Sequence, residues 1–209
     1  TGSSLFTILT NGNVGIGTST PTEKLSVVGN ISNITDPNTA ISQMGSVTVG
    51  LSPQAVYVSG RYAYTANYTD GNITIIDVSN PSIPIQISST TAGTNPRSIF
   101  VSGRYAYVAN QGSANISVID ISNPMAPRQV ATADVGSNPR GIYVSGRYAY
   151  VTNASSKSIS VVDISNPLAP IQIATTSVGN QPIGIYVSGR YAYVANYTSN
   201  TISVVDISN

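Results

Sequence analysis

The string VSGRYAY occurs four times, beginning at Val58, Val101, Val144 and Val187, each copy 43 residues after the last. No other feature constrains the fold as tightly. A unit this short cannot bury its own apolar face, so the copies must stack on one another. The echo extends well past the string. Asp77, Asp120, Asp163 and Asp206 recur at the same step in IIDVSN, VIDISN, VVDISN and VVDISN, and a Pro-containing turn separates each from the next apolar segment.

One period reads as four short strands. In the second copy these are Ser98–Ser102, ended by Gly103, then Arg104–Asn110, Asn115–Ile121 and Gln129–Val135. The strands are rich in β-branched and aromatic residues that suit a pleated surface. The prolines fall between strands, where a missing N–H does no harm. No apolar periodicity of 3.6 runs for the length of a helix. Four strands in about 43 residues is the size of one propeller blade.

The phase of the chain separates a closed ring from an open solenoid. The last copy stops after its third strand, and Ile41–Gly50 reads like the fourth strand that copy lacks. The expected fold is therefore all-β: a four-bladed β-propeller over residues 37–209, closed by pairing residues 41–49 beside the strand near 202–207. That closure would leave no exposed sheet edge. The stretches YVANYTSNTISVVDISN (Tyr193–Asn209) and YVANQGSANISVIDISN (Tyr107–Asn123) resemble YVTN-type propeller repeats, and VVDISNP resembles the LVIVD-type repeat. The resemblance covers residues 40–209 and implies a bacterial or archaeal surface protein. Such relatives often have seven blades, so four visible repeats depart from their pattern.

Residues 1–36 do not follow the repeat and are expected to form a β-rich arm. Leu5–Leu9 is apolar, Asn11-Gly12 is a hairpin-turn signal, and Lys24–Val28 is a further short strand. The segment NGNVGIGTSTPTEKLSVVGNI (Asn11–Ile31) resembles one found in phage tail-fibre-like and bacterial surface-fibre proteins, which implies oligomeric β-structure. Thirty-odd residues carrying Leu5, Phe6, Ile8, Leu9, Val14 and Ile16 cannot bury that surface alone. Strand exchange with a neighbouring copy is the expected use, and a head-to-tail contact that does not close would give a filament.

Composition narrows the chemistry. Only 8% of residues are charged and the net charge is +1, so nothing attracts nucleic acid or an anionic membrane surface. No run of 18 apolar residues suggests membrane insertion. There is no Cys and no His, which removes thiol chemistry and the usual general base. Four of the eight acids are the repeated Asp before a Ser-Asn turn, where Asp commonly bonds backbone amides. Arg61, Arg104, Arg147 and Arg190 follow a turn glycine in each copy, and pair with that Asp or lie on the surface. Both sets read as structural, so no catalytic or metal-binding residues, no cofactor and no enzymatic activity are expected. GNVGIG at Gly12–Gly17 matches neither a GxGxxG nor a Walker pattern.

Eight of the 13 tyrosines lie in the RYAY strings. They read as packing between blades, with a carbohydrate-stacking platform as the functional alternative. Tyr68 and Tyr197, in expected loops, are candidate contact residues. Seven Asn-x-Ser/Thr sequons occur, at Asn30, Asn33, Asn67, Asn72, Asn115, Asn153 and Asn196. They are candidate glycosylation sites, with Asn67, Asn153 and Asn196 expected to project from loops after the second strand. The chain opens Thr1-Gly2-Ser3-Ser4, which suits a processed or partial chain. The composite expectation is an extracellular or cell-surface structural protein that assembles with itself through its arm, with the sequons as candidate glycan sites. An adhesin or binding module is the alternative.

Overall fold

The computed structural model describes residues 6–27 and 41–208. Contacts divide the chain into two units, Thr1–Gln43 and Met44–Asn209. In the first unit, β1 (Phe6–Ile8) and β2 (Val14–Ile16) form an antiparallel hairpin, and β3 (Leu25–Val27) joins β2 in parallel. The turn is closed by the Gly12 N–H donating to the Leu9 carbonyl and the Leu9 N–H donating to the Asn13 carbonyl. Asn13 is buried, and its side-chain amide donates to the Pro21 carbonyl at 3.2 Å, holding the return of the chain towards β3. Leu5, on the expected first strand, lies outside the described residues.

The second unit contains the repeats. The first copy forms β4 (Pro53–Ser59), β5 (Tyr62–Asn67), β6 (Asn72–Asp77) and β7 (Ile85–Thr91), joined in sequence as an antiparallel meander. The second copy gives β8 (Pro96–Ser102), β9 (Tyr105–Asn110), β10 (Asn115–Asp120) and β11 (Arg128–Asp134). The third gives β12 (Pro139–Ser145), β13 (Tyr148–Asn153), β14 (Ser158–Asp163) and β15 (Ile171–Ser177). The fourth has three strands, β16 (Pro182–Ser188), β17 (Tyr191–Asn196) and β18 (Thr201–Asp206). Each first hairpin turns on Gly60, Gly103, Gly146 or Gly189, at φ between 56° and 60°. No atom lies within 4 Å of a Cβ placed there, so backbone conformation and not space calls for glycine.

Successive sheets stack face to face, and the sheets fan. First strands lie side by side (β4 on β8, β8 on β12, β12 on β16), while fourth strands barely touch. Apolar side chains fill the space between blades. Tyr64, Ala66, Ile73 and Ile75 of the first blade meet Ile99, Val101, Ala106, Val108, Ile119 and Ile121 of the second. The second and third blades repeat the arrangement with Tyr107, Ile116 and Val118 against Ile142, Val144, Val151 and Val162. Each fully buried Ile or Val stabilises by roughly 1.5–3 kcal/mol relative to an exposed one. The middle strands of the first three blades are therefore buried on both faces, and this is a β-propeller-like repeat protein with no helix among the described residues.

The expected closure is corrected. Residues 41–49 form no strand, and among the described residues β18 pairs with β17 alone. The sheets number five among the described residues: the small arm sheet, three of four strands and one of three. The segment after Met44 instead packs on the back of the first blade, beside Val56, Ala63, Thr65, Ile76, Pro81 and Pro84. This is the place a preceding blade's fourth strand would take. Gly45 stands one period before Ser88; a Cβ on it would meet the Pro81 carbonyl oxygen at 2.6 Å, and the Ser88 hydroxyl donates to the matching Pro124 carbonyl at 2.6 Å. Gly50 likewise abuts Asn67 as Gly93 abuts Asn110. The segment covers one end of the stack, where Val47 and Val49 are half-buried beside Val56, Ala63 and Ile76.

Candidate interaction surfaces

Each blade carries the same clasp at one rim. Asp77, Asp120, Asp163 and Asp206 close the third strand opposite Tyr62, Tyr105, Tyr148 and Tyr191. One carboxylate oxygen accepts the backbone N–H two residues on, from Ser79, Ser122, Ser165 or Ser208, at 2.9–3.0 Å. The other accepts the guanidinium of Arg61, Arg104, Arg147 or Arg190, at 2.5 Å for Arg104–Asp120 and Arg147–Asp163. Each arginine also lies over the neighbouring tyrosine ring, 5.1–5.3 Å from its centroid. These donors hold all four carboxyls at about 2, below the ordinary 3.8. The arginine leads for Asp77, Asp120 and Asp206, and the Ser165 amide leads for Asp163. Each of these four carboxylates is held by its own turn and is ionised at neutral pH.

A second repeated device closes the opposite end of the second strand, and it corrects the placement of three sequons. Asn67, Asn153 and Asn196 do not project from loops: they are 0%, 0% and 2% exposed. Their side-chain amides donate into the third strand, to Thr74 at 2.8 Å, Ser160 at 2.9 Å and Ser203 at 2.9 Å. A buried, bonded Nδ2 cannot carry a glycan in the folded chain. The sequence held a signal for this. Asn110 occupies the same position and makes the same bond, to Ser117 at 2.9 Å, yet it begins Asn-Gln-Gly and is no sequon. The repeat demands the Asn whether or not Ser or Thr follows. Asn72 and Asn115 are half-buried, and their side-chain oxygens accept from Asn67 and Asn110 at 2.7 and 2.9 Å. Asn30 and Asn33 lie outside the described residues.

The first strands bring together residues that the sequence reading did not single out. Tyr57, Phe100, Tyr143 and Tyr186, one per blade, form a continuous aromatic ladder with centroid separations of 4.8, 4.9 and 5.1 Å. Their 43-residue spacing was visible, but the Phe in one copy obscured it. On the strand that carries Phe100, Arg97 stacks on Tyr68 of the first blade, 4.6 Å from its centroid, and donates to Gln54 and Gln111. Tyr68 is thus part of blade-to-blade packing, while Tyr197 is exposed. Of the RYAY tyrosines, Tyr64, Tyr107 and Tyr150 pack between blades at no more than 4% exposure, which takes these three out of reach of a sugar; Tyr62, Tyr105 and Tyr148 are half-buried, and Tyr191 and Tyr193 are 36% and 39% exposed.

Among the described residues, apolar side chains stand uncovered on the arm sheet and on the fourth blade, among other places. The arm sheet leaves Phe6 60%, Ile8 64%, Ile16 44% and Leu25 59% exposed, with Leu9 and Val14 half-buried. The front of the fourth blade leaves Ile202 70% and Val204 57% exposed. No group of three His, Cys, Asp or Glu residues able to hold a metal ion occurs among the described residues.

Solved structures with this architecture include a putative 6-phosphogluconolactonase from Bacteroides uniformis, 19% identical, with a TM-score of 0.66 over 74% of this chain and 50% of that one. A periplasmic gluconolactonase from Pseudomonas aeruginosa is 20% identical, with a TM-score of 0.66 over 74% of this chain and 49% of that one. The computationally designed Ika4 protein is 12% identical, with a TM-score of 0.65 over 80% of this chain and 99% of that one. The chain spans about half the length of the two gluconolactonases, and at these identities the likeness speaks for the fold alone. No curated protein sequence matches the chain. The LVIVD repeat model matches residues 52–91, 93–135, 136–176 and 183–209, the four copies of the 43-residue unit, and the chain belongs to the LVIVD repeat family.

Proposed function

We propose that this chain is a structural protein of the cell surface or extracellular space, a protomer of a fibre or coat that joins its neighbours through the N-terminal arm. The observation that carries this reading is the arm sheet, three strands of three residues each that leave Phe6, Ile8 and Leu25 about 60% exposed. A sheet so small does not persist in water on its own account, and apolar side chains at that exposure stabilise only what covers them. The repeats offer a rigid body for such a protomer, because their carboxylates are tied into turns and their tyrosines into the stack. The resemblance of Asn11–Ile31 to surface-fibre segments points the same way.

Deletion of residues 1–36, followed by static light scattering, tests the proposal. The intact chain is expected to form large assemblies that the shortened chain does not. The same mass distribution for both would overturn the role of the arm.

A further inference from the structure

The second residue of each blade's first strand departs from the repeat. The Pro before it and the Val-Ser that ends the strand are the same in all four copies, yet this position reads Gln54, Arg97, Arg140 and Ile183. The repeat itself therefore does not call for a guanidinium here. The two arginines belong to the middle copies, with a blade on either side, and lie on the inner edge of the fan, where first strands run side by side. Each falls in an irregular step of its strand pair, between Pro96 and Ser98 and between Pro139 and Ile142. Such a bulge re-aims the side chain it carries. The Ile142 N–H donates to the Ser98 hydroxyl at 3.3 Å and ties β12 to β8 beside the pair.

The arginines are held by neutral groups and lack a counter-charge. Arg97 Nε donates to Gln111 at 2.5 Å, its Nη1 donates to Gln54 at 2.9 Å, and its guanidinium lies on the Tyr68 ring. Arg140 Nε donates to Asn138 Oδ1 at 3.2 Å. Arg97 Nη2 and both Nη atoms of Arg140 meet no acceptor among the described residues. The ion pairs among the described residues all belong to the clasps at the opposite rim, and the Asp70 carboxylate accepts the Leu51 N–H at 2.8 Å. Burial, and then the like charge of Arg97, push Arg140 below its ordinary value. An anion between the two would relieve that opposition.

We propose that Arg97 and Arg140 form a binding site for a tetrahedral oxyanion, a phosphate or sulfate group, on the inner edge of the second and third blades. Each guanidinium presents a planar fork that matches two oxygens of such a group, and the two charges balance a dianion. A carboxylate has one charge and two oxygens, which a single fork satisfies. Tyr68, Gln54 and Gln111 hold Arg97 in one orientation, so less freedom is lost when the anion arrives.

The experiment titrates the full chain with sodium phosphate, sodium sulfate and methyl phosphate by isothermal calorimetry, in chloride at fixed ionic strength. Saturable binding is expected. Arg140→Gln installs the residue that the first copy carries, so the fold has a precedent for it, and it should weaken binding about tenfold or more. Arg140→Lys keeps the charge without the fork and should fall between the two. Arg128→Gln removes the same charge from an exposed position on β11 and should leave the affinity unchanged. Binding of the inorganic ions alone supports a free anion as the ligand, and equal binding of methyl phosphate supports a group carried on a larger molecule. The proposal is overturned by acetate binding as tightly as phosphate or sulfate, by no saturable binding of any of the three, or by equal losses in Arg128→Gln and Arg140→Gln. No variant alters the arm, so this result and that of the arm in assembly are separate.

Discussion

At the residue scale, the repeated Asp shows how one side chain serves two partners. Its folded pKa lies near 2, below the ordinary value, so the clasp contributes stability at neutral pH that is lost as the pH falls from about 4 through 2. Because the arginines are mostly exposed, solvent weakens each ion pair, and the backbone amide carries much of the clasp. Arg104→Gln should raise the Asp120 pKa towards its ordinary value. Arg147→Gln should move Asp163 less, since the Ser165 amide leads there. Carboxyl carbon titration by NMR checks both, and equal shifts would contradict the ordering. The pairing was half legible in the sequence: spacing set Arg and Asp one per blade, but only the antiparallel register of second and third strands shows that they meet. Thr65 is a smaller case. Its hydroxyl donates to Asn67 Oδ1 at 3.1 Å, whereas valine occupies the matching positions 108, 151 and 194.

At the scale of the element, glycine appears in this chain for two separable reasons. The hairpin glycines supply a left-handed φ. Gly93, like Gly50, Gly136 and Gly179, supplies room: a Cβ there would meet Asn110 Cγ at 2.6 Å and Nδ2 at 2.7 Å. The blocked atoms belong to a buried amide already bonded to Ser117, so the neighbour cannot swing aside. Gly93→Ala is therefore expected to destabilise the chain by about 1–3 kcal/mol through overpacking, measured by urea unfolding. An unchanged midpoint would show that the link between blades yields more readily than its packing suggests. The strands themselves were largely readable, because β-branched runs, turn glycines and interstrand prolines recur four times. The third strand of the arm sheet pairs in parallel with β2, which short-range signals do not report.

For the whole molecule, position in the stack outweighs local sequence. The hexapeptide YAYVAN occurs as β9 and again as β17. In β9 only the first residue is partly exposed; in β17 every second residue is exposed, since no blade covers its front. The same logic separates Ile116, fully buried, from Ile202. Ile116→Asp would place an unpaired carboxylate between blades at a cost of several kcal/mol, and little folded chain is expected by circular dichroism. Ile202→Asp should fold with a near-native thermal midpoint, since that side chain is 70% exposed. If Ile202→Asp unfolds the chain as readily as Ile116→Asp, the fourth blade is not an open end.

The sequence by itself determined the repeat length, the strand content, the hairpin turns and the one-per-blade placement of Arg, Asp and Tyr, because each follows from steric and hydrogen-bonding preferences acting over a few residues. It also marked residues 41–49 as the fourth strand that the final copy lacks and set them beside residues 202–207, at the wrong end of the stack. Local patterning could not tell which end of the stack that segment would cover. Only the tertiary structure decided this, because the cover of a blade face depends on which element lies next door; it also decided the buried fate of Asn67, Asn153 and Asn196, whose amides reach the neighbouring strand of their own blade.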